Sequence, residues 1–179
     1  LRATFTVPII AMEPAIKPAV VATHSGVIGV LATVGTARSE RLTSLIERFG
    51  RGVQVLTQPC PGLVEHIEAG DLGSPEIRAL LERYVQPLLE RGADTLVLGC
   101  THYPFLRPLL AELMGPEVAL IDTGAAVARR TQELLGAHGL LRMAGTGQEQ
   151  FWSSGEITQA RQVIGSLWGR PVTVGSLPV

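Results

Sequence analysis

The chain has 179 residues, room for one or two domains, and its 46% hydrophobic content suffices for an ordinary globular core. Fifteen basic against sixteen acidic side chains leave a net charge of −1 with no Lys/Arg block, which argues against a nucleic-acid partner. No apolar run approaches the roughly 18 residues of a membrane helix, and no signal-peptide pattern opens the chain, so the expectation is a cytoplasmic protein that does not engage a membrane.

In chain order, the first residue is Leu1 rather than methionine, which suggests a piece of something longer, and residues 6–11 form a strand-like run. Short β-type runs follow at 27–31, 53–56, 95–98 and 118–121. Helical stripes separate them: Leu42, Leu45, Ile46 and Phe49; then Leu63, Val64 and Ile67, closing at Gly70. The clearest helix opens at Ser74-Pro75, an N-cap with proline at the first helical position. It carries Ile77, Leu80, Leu81, Tyr84, Val85, Leu88 and Leu89 on one face and stops at Gly92, with Pro87 expected to kink its last turns. This alternation predicts βαβ units and a parallel sheet, an α/β Rossmann-like fold. After Asp122 the pattern predicts a helix through Leu135, a loosely ordered loop at 142–150, a helix near 157–168 and a last strand at 171–174. These flanks read as parts of a second, similar α/β layer that is short of strands.

Ligands of open parallel sheets bind beyond the carboxyl ends of the strands, where loops and helix N-termini converge. The four strand exits carry Thr33 and Thr36, then Cys60, then Cys100-Thr101-His102, then Asp122-Thr123. Such a rim suits a small anion such as a carboxylate, although the same residue types also cap helices and make turns. Cys100 has two readings. It is either a small buried hydrophobe or, at a strand end two residues from His102, a thiol with access to its thiolate; the position favours the second. Cys60, followed by Pro61 and a helix, reads as structural. Cys60 and Cys100 lack paired metal or disulfide spacing, so we expect free thiols and no metal, with His24 and His66 at the surface or core edge. Glu68 reads as a solvated carboxylate that could reach His102.

Residues 95–106, TLVLGCTHYPFL, resemble the second active-site segment of bacterial glutamate racemases, members of the aspartate/glutamate racemase family. The likeness extends to VPIIAMEPAIKPA at 7–19, VLATVGT at 30–36, QPCP at 58–61, IDTG at 121–124 and FWSSG at 151–155. It implies a cofactor-independent interconversion of L- and D-glutamate that supplies D-glutamate for peptidoglycan, with two thiols on opposite faces of the substrate Cα. Cys100 would be one of those thiols, His102 would assist its proton, and Glu68 would support His102. Thr101 and His102 would contact substrate, and Thr33 and Thr36 would hold it. The family's other catalytic cysteine lies in an upstream Cys-Asn-Thr-Ala segment that this sequence does not contain, and Cys60 matches a different, non-catalytic position. The resemblance therefore implies one complete α/β domain at 14–122, with 1–13 and 123–179 belonging to another. It further implies little or no racemase activity for these residues alone, and exposed apolar surface that would favour a homo-oligomer. Two other readings stay open: a racemase for aspartate or another amino acid, and a non-catalytic regulatory or binding module derived from a racemase.

Overall fold

The computed structural model describes residues 4–177. In order the elements are α1 (Ile16–Ala22), β1 (Val27–Ala32), α2 (Val34–Ala37), α3 (Glu40–Phe49), β2 (Gln54–Pro59), α4 (Leu63–Glu68), α5 (Pro75–Glu90) and β3 (Thr95–Leu98). A 3-10 turn at Tyr103–Leu106 leads into α6 (Arg107–Met114), followed by β4 (Ala119–Ile121), α7 (Gly124–Ala137), β5 (Phe151–Ser153), α8 (Ile157–Trp168) and β6 (Val174–Ser176).

Strands β1 to β4 form one parallel sheet in the order β2-β1-β3-β4, with Ile28 opposite both Val55 and Thr95. Its centre, β1 and β3, is apolar at nearly every position, as a sheet covered on both faces requires. Side chains alternate between two cores. Ile28, Val30 and Val97 pack with Ile16, Ala19, Leu42 and Leu45 from α1 and α3. Leu31, Leu96 and Leu98 pack on the other face with Leu63, Ile67, Leu81, Leu106 and Leu110 from α4, α5, the 3-10 turn and α6. Each such side chain contributes about 1.5–3 kcal/mol by leaving water. Gly29 is required by that packing, because a Cβ there would lie 2.4 Å from Leu96 Cδ2 and 2.9 Å from Leu88 Cδ1.

At the amino ends of the strands, Asp94 joins the loop before β1 to β3. Its carboxylate accepts from Thr23 Oγ1 at 2.6 Å, from the amides of His24 and Ser25 at 2.7 Å each, and from Thr95 Oγ1 at 3.0 Å. Burial opposes ionisation there, but these donors together hold the carboxyl well below the usual carboxylate range.

The flanks depart from the sequence pattern. Residues 6–11 are irregular rather than a strand, with Phe5, Val7 and Met12 exposed. Apolar run alone does not make a strand; an inter-strand ladder does. The last strand begins at Val174, beyond Pro171, which has no N–H to give a ladder. It pairs in parallel with β5, Phe151 opposite Val174, as a separate two-stranded sheet. The helix α8 between them docks through Leu167 on the larger core. Residues 142–150 are exposed and hold no helix or strand. The helix α5 runs through Pro87 to Glu90, its buried Val85 and Leu88 anchoring both sides of the proline. Among the described residues no helix is long and apolar enough to cross a membrane.

Candidate active site

The β3 exit is shaped by close approach. The Gly99 amide continues the ladder to the Leu31 carbonyl at 2.8 Å, and a Cβ on residue 99 would sit 2.8 Å from that same oxygen. A glycine there lets the loop press against β1 before rising to the rim as Cys100-Thr101-His102. Cys100 is half-buried, with its Sγ 3.7 Å from His102 Nδ1. Thr101 Oγ1 lies 3.3 Å from the same nitrogen, and His102 Nε2 is 2.8 Å from Glu68 Oε1 at the end of α4. The Glu68 carboxylate is an acceptor only, so Nε2 carries the imidazole proton and Nδ1 turns its lone pair toward the thiol. The residues that sequence reasoning joined across 34 positions thus stand in line: carboxylate, imidazole, thiol.

Cys60 is of another kind. It is buried, its Sγ–H donates to the Gln58 carbonyl at 3.2 Å, and burial pushes the thiol up to about 12. Such a group stays protonated at neutral pH and is not available as a thiolate base. Tyr103, fully buried beside it, donates to the Cys60 carbonyl at 3.4 Å.

Cys100 and Thr101 face a cleft of about 420 Å³, within the usual size for a small-molecule site. Thr36 lines the cleft, whereas Thr33 does not: Thr33 is the N-cap of α2, accepting from the Thr36 amide at 3.2 Å and donating to Thr36 Oγ1 at 3.0 Å. Thr33 therefore acts on the cleft through Thr36. His102 and Glu68 border a second cavity of about 330 Å³ whose far wall is Ser153, Glu156 and Gln159 from the β5–α8 region. His102 is thus not among the residues that line the Cys100 cleft.

Several cleft residues were not singled out in the sequence. Met12, Glu13 and Pro14 line it together with Ser39 and Arg41, and Arg41 pairs with Glu13. Glu13 lies inside the 7–19 segment that carried the family likeness, which was the available signal; Arg41, a charged residue at the start of a helix, has the pattern of a solvated side chain. Thr123 completes the rim. It is set by Asp122, which accepts from the Gly124 amide at 2.8 Å and pairs with Arg107 at 2.5 Å, the guanidinium holding its carboxyl low.

The family profile described as Asp/Glu/Hydantoin racemase matches residues 1–131. Curated relatives include a glutamate racemase of Pseudomonas aeruginosa, 56% identical over 173 residues, covering 97% of this chain and 65% of the relative. Another, from Pseudomonas putida, is 58% identical over 171 residues, covering 96% and 64%. The chain thus spans about 65% of the length of these relatives. Among solved structures, Escherichia coli glutamate racemase in complex with L-glutamate and the activator UDP-MurNAc-ala superposes with a TM-score of 0.83 at 33% identity, covering 99% of this chain and 68% of that one. A Bacillus anthracis glutamate racemase shares the fold with a TM-score of 0.85 at 24% identity, covering 99% and 67%.

Proposed function

The chain belongs to the Asp/Glu/hydantoin racemase family, and on that premise we propose that it provides one half of the acid–base pair of a cofactor-independent glutamate racemase. The observation that carries the reading is the line from Glu68 through His102 to Cys100, with Nε2 2.8 Å from the carboxylate and Nδ1 3.7 Å from the thiol, at the wall of a small cleft. His102 accepts the Sγ–H proton through Nδ1. The Cys100 thiolate then removes the α-proton of a bound amino acid, and the electron pair left on Cα spreads into the α-carboxylate. Hydroxyls of Thr36, Thr101 and Ser39 and the Arg41 guanidinium are the groups at hand to stabilise that charge. Return of a proton to the opposite face inverts the centre. That step needs a second acid, and Cys60, buried and bonded to Gln58, does not supply it.

On this reading residues 14–122 are the complete domain, 1–13 and 123–179 belong to another, and the 179 residues alone turn over little or no substrate. The names of the Pseudomonas relatives, and the L-glutamate in the Escherichia coli structure, support glutamate as the substrate, while the supply of D-glutamate for peptidoglycan is what the family likeness implies. The test joins the part of the Pseudomonas aeruginosa enzyme that this chain does not match to these residues. The fusion should interconvert L- and D-glutamate and exchange the Cα proton in D2O, with Cys100→Ser lowering the rate by about 10²–10⁴-fold or more. Full activity in Cys100→Ser overturns the role of the thiol, and a preference for aspartate overturns the substrate.

A further inference from the structure

Glu68 holds His102 with a carboxylate that is 65% exposed. An exposed carboxylate–imidazole contact of that kind is worth no more than about 0–1 kcal/mol, so its persistence depends on where the backbone of α4 holds the glutamate. The helix α4 has six residues and starts at Gly62, whose φ of +90° places it in the left-handed region and which brings no side-chain cap. Within α4 the buried Leu63 and Ile67 seat one face on the core, but no side-chain cap fixes the start of the helix.

Its last turn is closed by Asp71. The Asp71 amide donates to the His66 carbonyl at 2.9 Å. The carboxylate meets His66 Nδ1 at 2.7 Å and accepts from Ser74 Oγ at 2.6 Å through Oδ2, and through Oδ1 it accepts from the amides of Ser74 at 2.9 Å and Gly73 at 3.3 Å. Ser74 is the N-cap of α5, and α5 is fixed by the buried stripe Ile77, Leu81, Tyr84, Val85 and Leu88. These donors, the Ser74 hydroxyl first among them, hold the Asp71 carboxyl at about 2, so it is ionised throughout the neutral range. The longest of the described helices is thereby joined to the turn of α4 that bears Glu68.

We infer that Asp71 is a positioning residue: by tying the last turn of α4 to the start of α5 it keeps Glu68 on His102 Nε2, and so keeps Nδ1 of that imidazole open toward Cys100. The link to turnover rests on the racemase reading; the link to the imidazole does not. With Asp71 removed, the Glu68 backbone gains freedom, the Nε2–H···carboxylate bond is populated less, and His102 exchanges into the tautomer that carries its proton on Nδ1. That tautomer presents a donor to the thiol where an acceptor is needed.

The test is the tautomer of His102 in the 15N-labelled chain, read from two-bond 1H–15N spectra at neutral pH. Wild type should give an Nε2–H imidazole, and Glu68→Ala defines the spectrum without the pair. Asp71→Ala should move the His102 nitrogen shifts more than half of the way to the Glu68→Ala values and should add nothing in the Glu68→Ala background. Should Asp71→Ala fail to fold, Ser74→Ala removes one of the bonds to Asp71 and should move the same shifts in the same direction by a smaller amount. A variant that melts earlier but keeps wild-type His102 shifts overturns the inference. In the active fusion Asp71→Ala should lower kcat about tenfold with KM unchanged. An inactive parent fusion counts against the racemase reading while leaving the spectroscopic result to decide the role of Asp71.

Discussion

Cys60 and Cys100 leave the sheet on either side of β1, and their exits begin alike: the Cys60 amide bonds to the Ala32 carbonyl at 2.9 Å, and the Gly99 amide to the Leu31 carbonyl at 2.8 Å. They diverge within two residues. Pro61 and Gly62 turn the chain back into α4, and the Cys60 thiol joins Leu63, Ile67 and Tyr103 in the core. After Gly99 the loop rises, leaving Cys100 half-buried between the cleft and His102. The turn that follows a strand-end cysteine thus decides both its solvation and its partner, the two factors that govern thiol reactivity.

The largest expected difference lies in alkylation. At neutral pH iodoacetamide should modify Cys100 in the native chain, whereas Cys60, pushed up to about 12 and buried, should react only through opening of the domain, slower by a factor of about 10³ or more. Mass mapping of the labelled peptides reads this directly. Comparable rates at the two sites would break the contrast.

Asp94, at the opposite ends of the strands, separates protection by stability from protection by local chemistry. Asp94→Ala leaves two hydroxyls and two amides without their acceptor, at a cost of about 2–3 kcal/mol. Labelling of Cys60 should then quicken about 30- to 150-fold while that of Cys100 stays at its wild-type rate. Acid acts in the same way. The folded-state pKa values of Asp94 and Asp71 are both depressed, so their stabilisation is complete above the unfolded value near 4 and is lost as pH falls through the folded values, toward about 2 for Asp71. A thiol reagent that works in acid should find Cys60 protection collapsing below about pH 4.

Truncation gives a smaller contrast. Cys60→Ala removes a fully packed sulfur and should cost about 1–2 kcal/mol in urea unfolding, while Cys100→Ala, beside the open cleft, should fall within about 0.5 kcal/mol of wild type. Equal costs would mean that Cys100 is also a core residue.

Much of this was legible before any coordinates. The four strands of the larger sheet, the stripe of α5 and the strand-end position of Cys100 follow from periodicity and from where strands end. Glu68 was legible only as a carboxylate within possible reach. Its bond to His102 depends on the pairing of β1 with both β2 and β3, which brings the exits of two strands together, and on where the packing of Leu63 and Ile67 against the core leaves the end of α4. Residues 6–11 carry strand-like composition but no ladder, and pairing is a property of what lies alongside. Thr33, placed among the substrate residues by the family likeness, is set apart from the cleft by the capping bond it makes three residues on.

His102 offers the finest test of the contrast between the thiols. If Cys100 differed from Cys60 by exposure alone, removing the imidazole would leave its reactivity unchanged or raise it, since a side chain that partly covers the sulfur would be gone. If Nδ1 at 3.7 Å takes the Sγ–H proton, the imidazolium so formed stabilises the thiolate, and His102→Gln lowers the thiolate available to an alkylating reagent, by about 3- to 10-fold for the loss of roughly 1 kcal/mol of that stabilisation. Cys60 bonds to the Gln58 carbonyl rather than to the imidazole and should keep its rate in the same variant, which makes it the internal reference for any change in global stability. A fall at Cys100 with Cys60 unchanged assigns the reactivity to the histidine. A rate at Cys100 that holds or rises returns it to exposure, and the proton route through His102 fails with it.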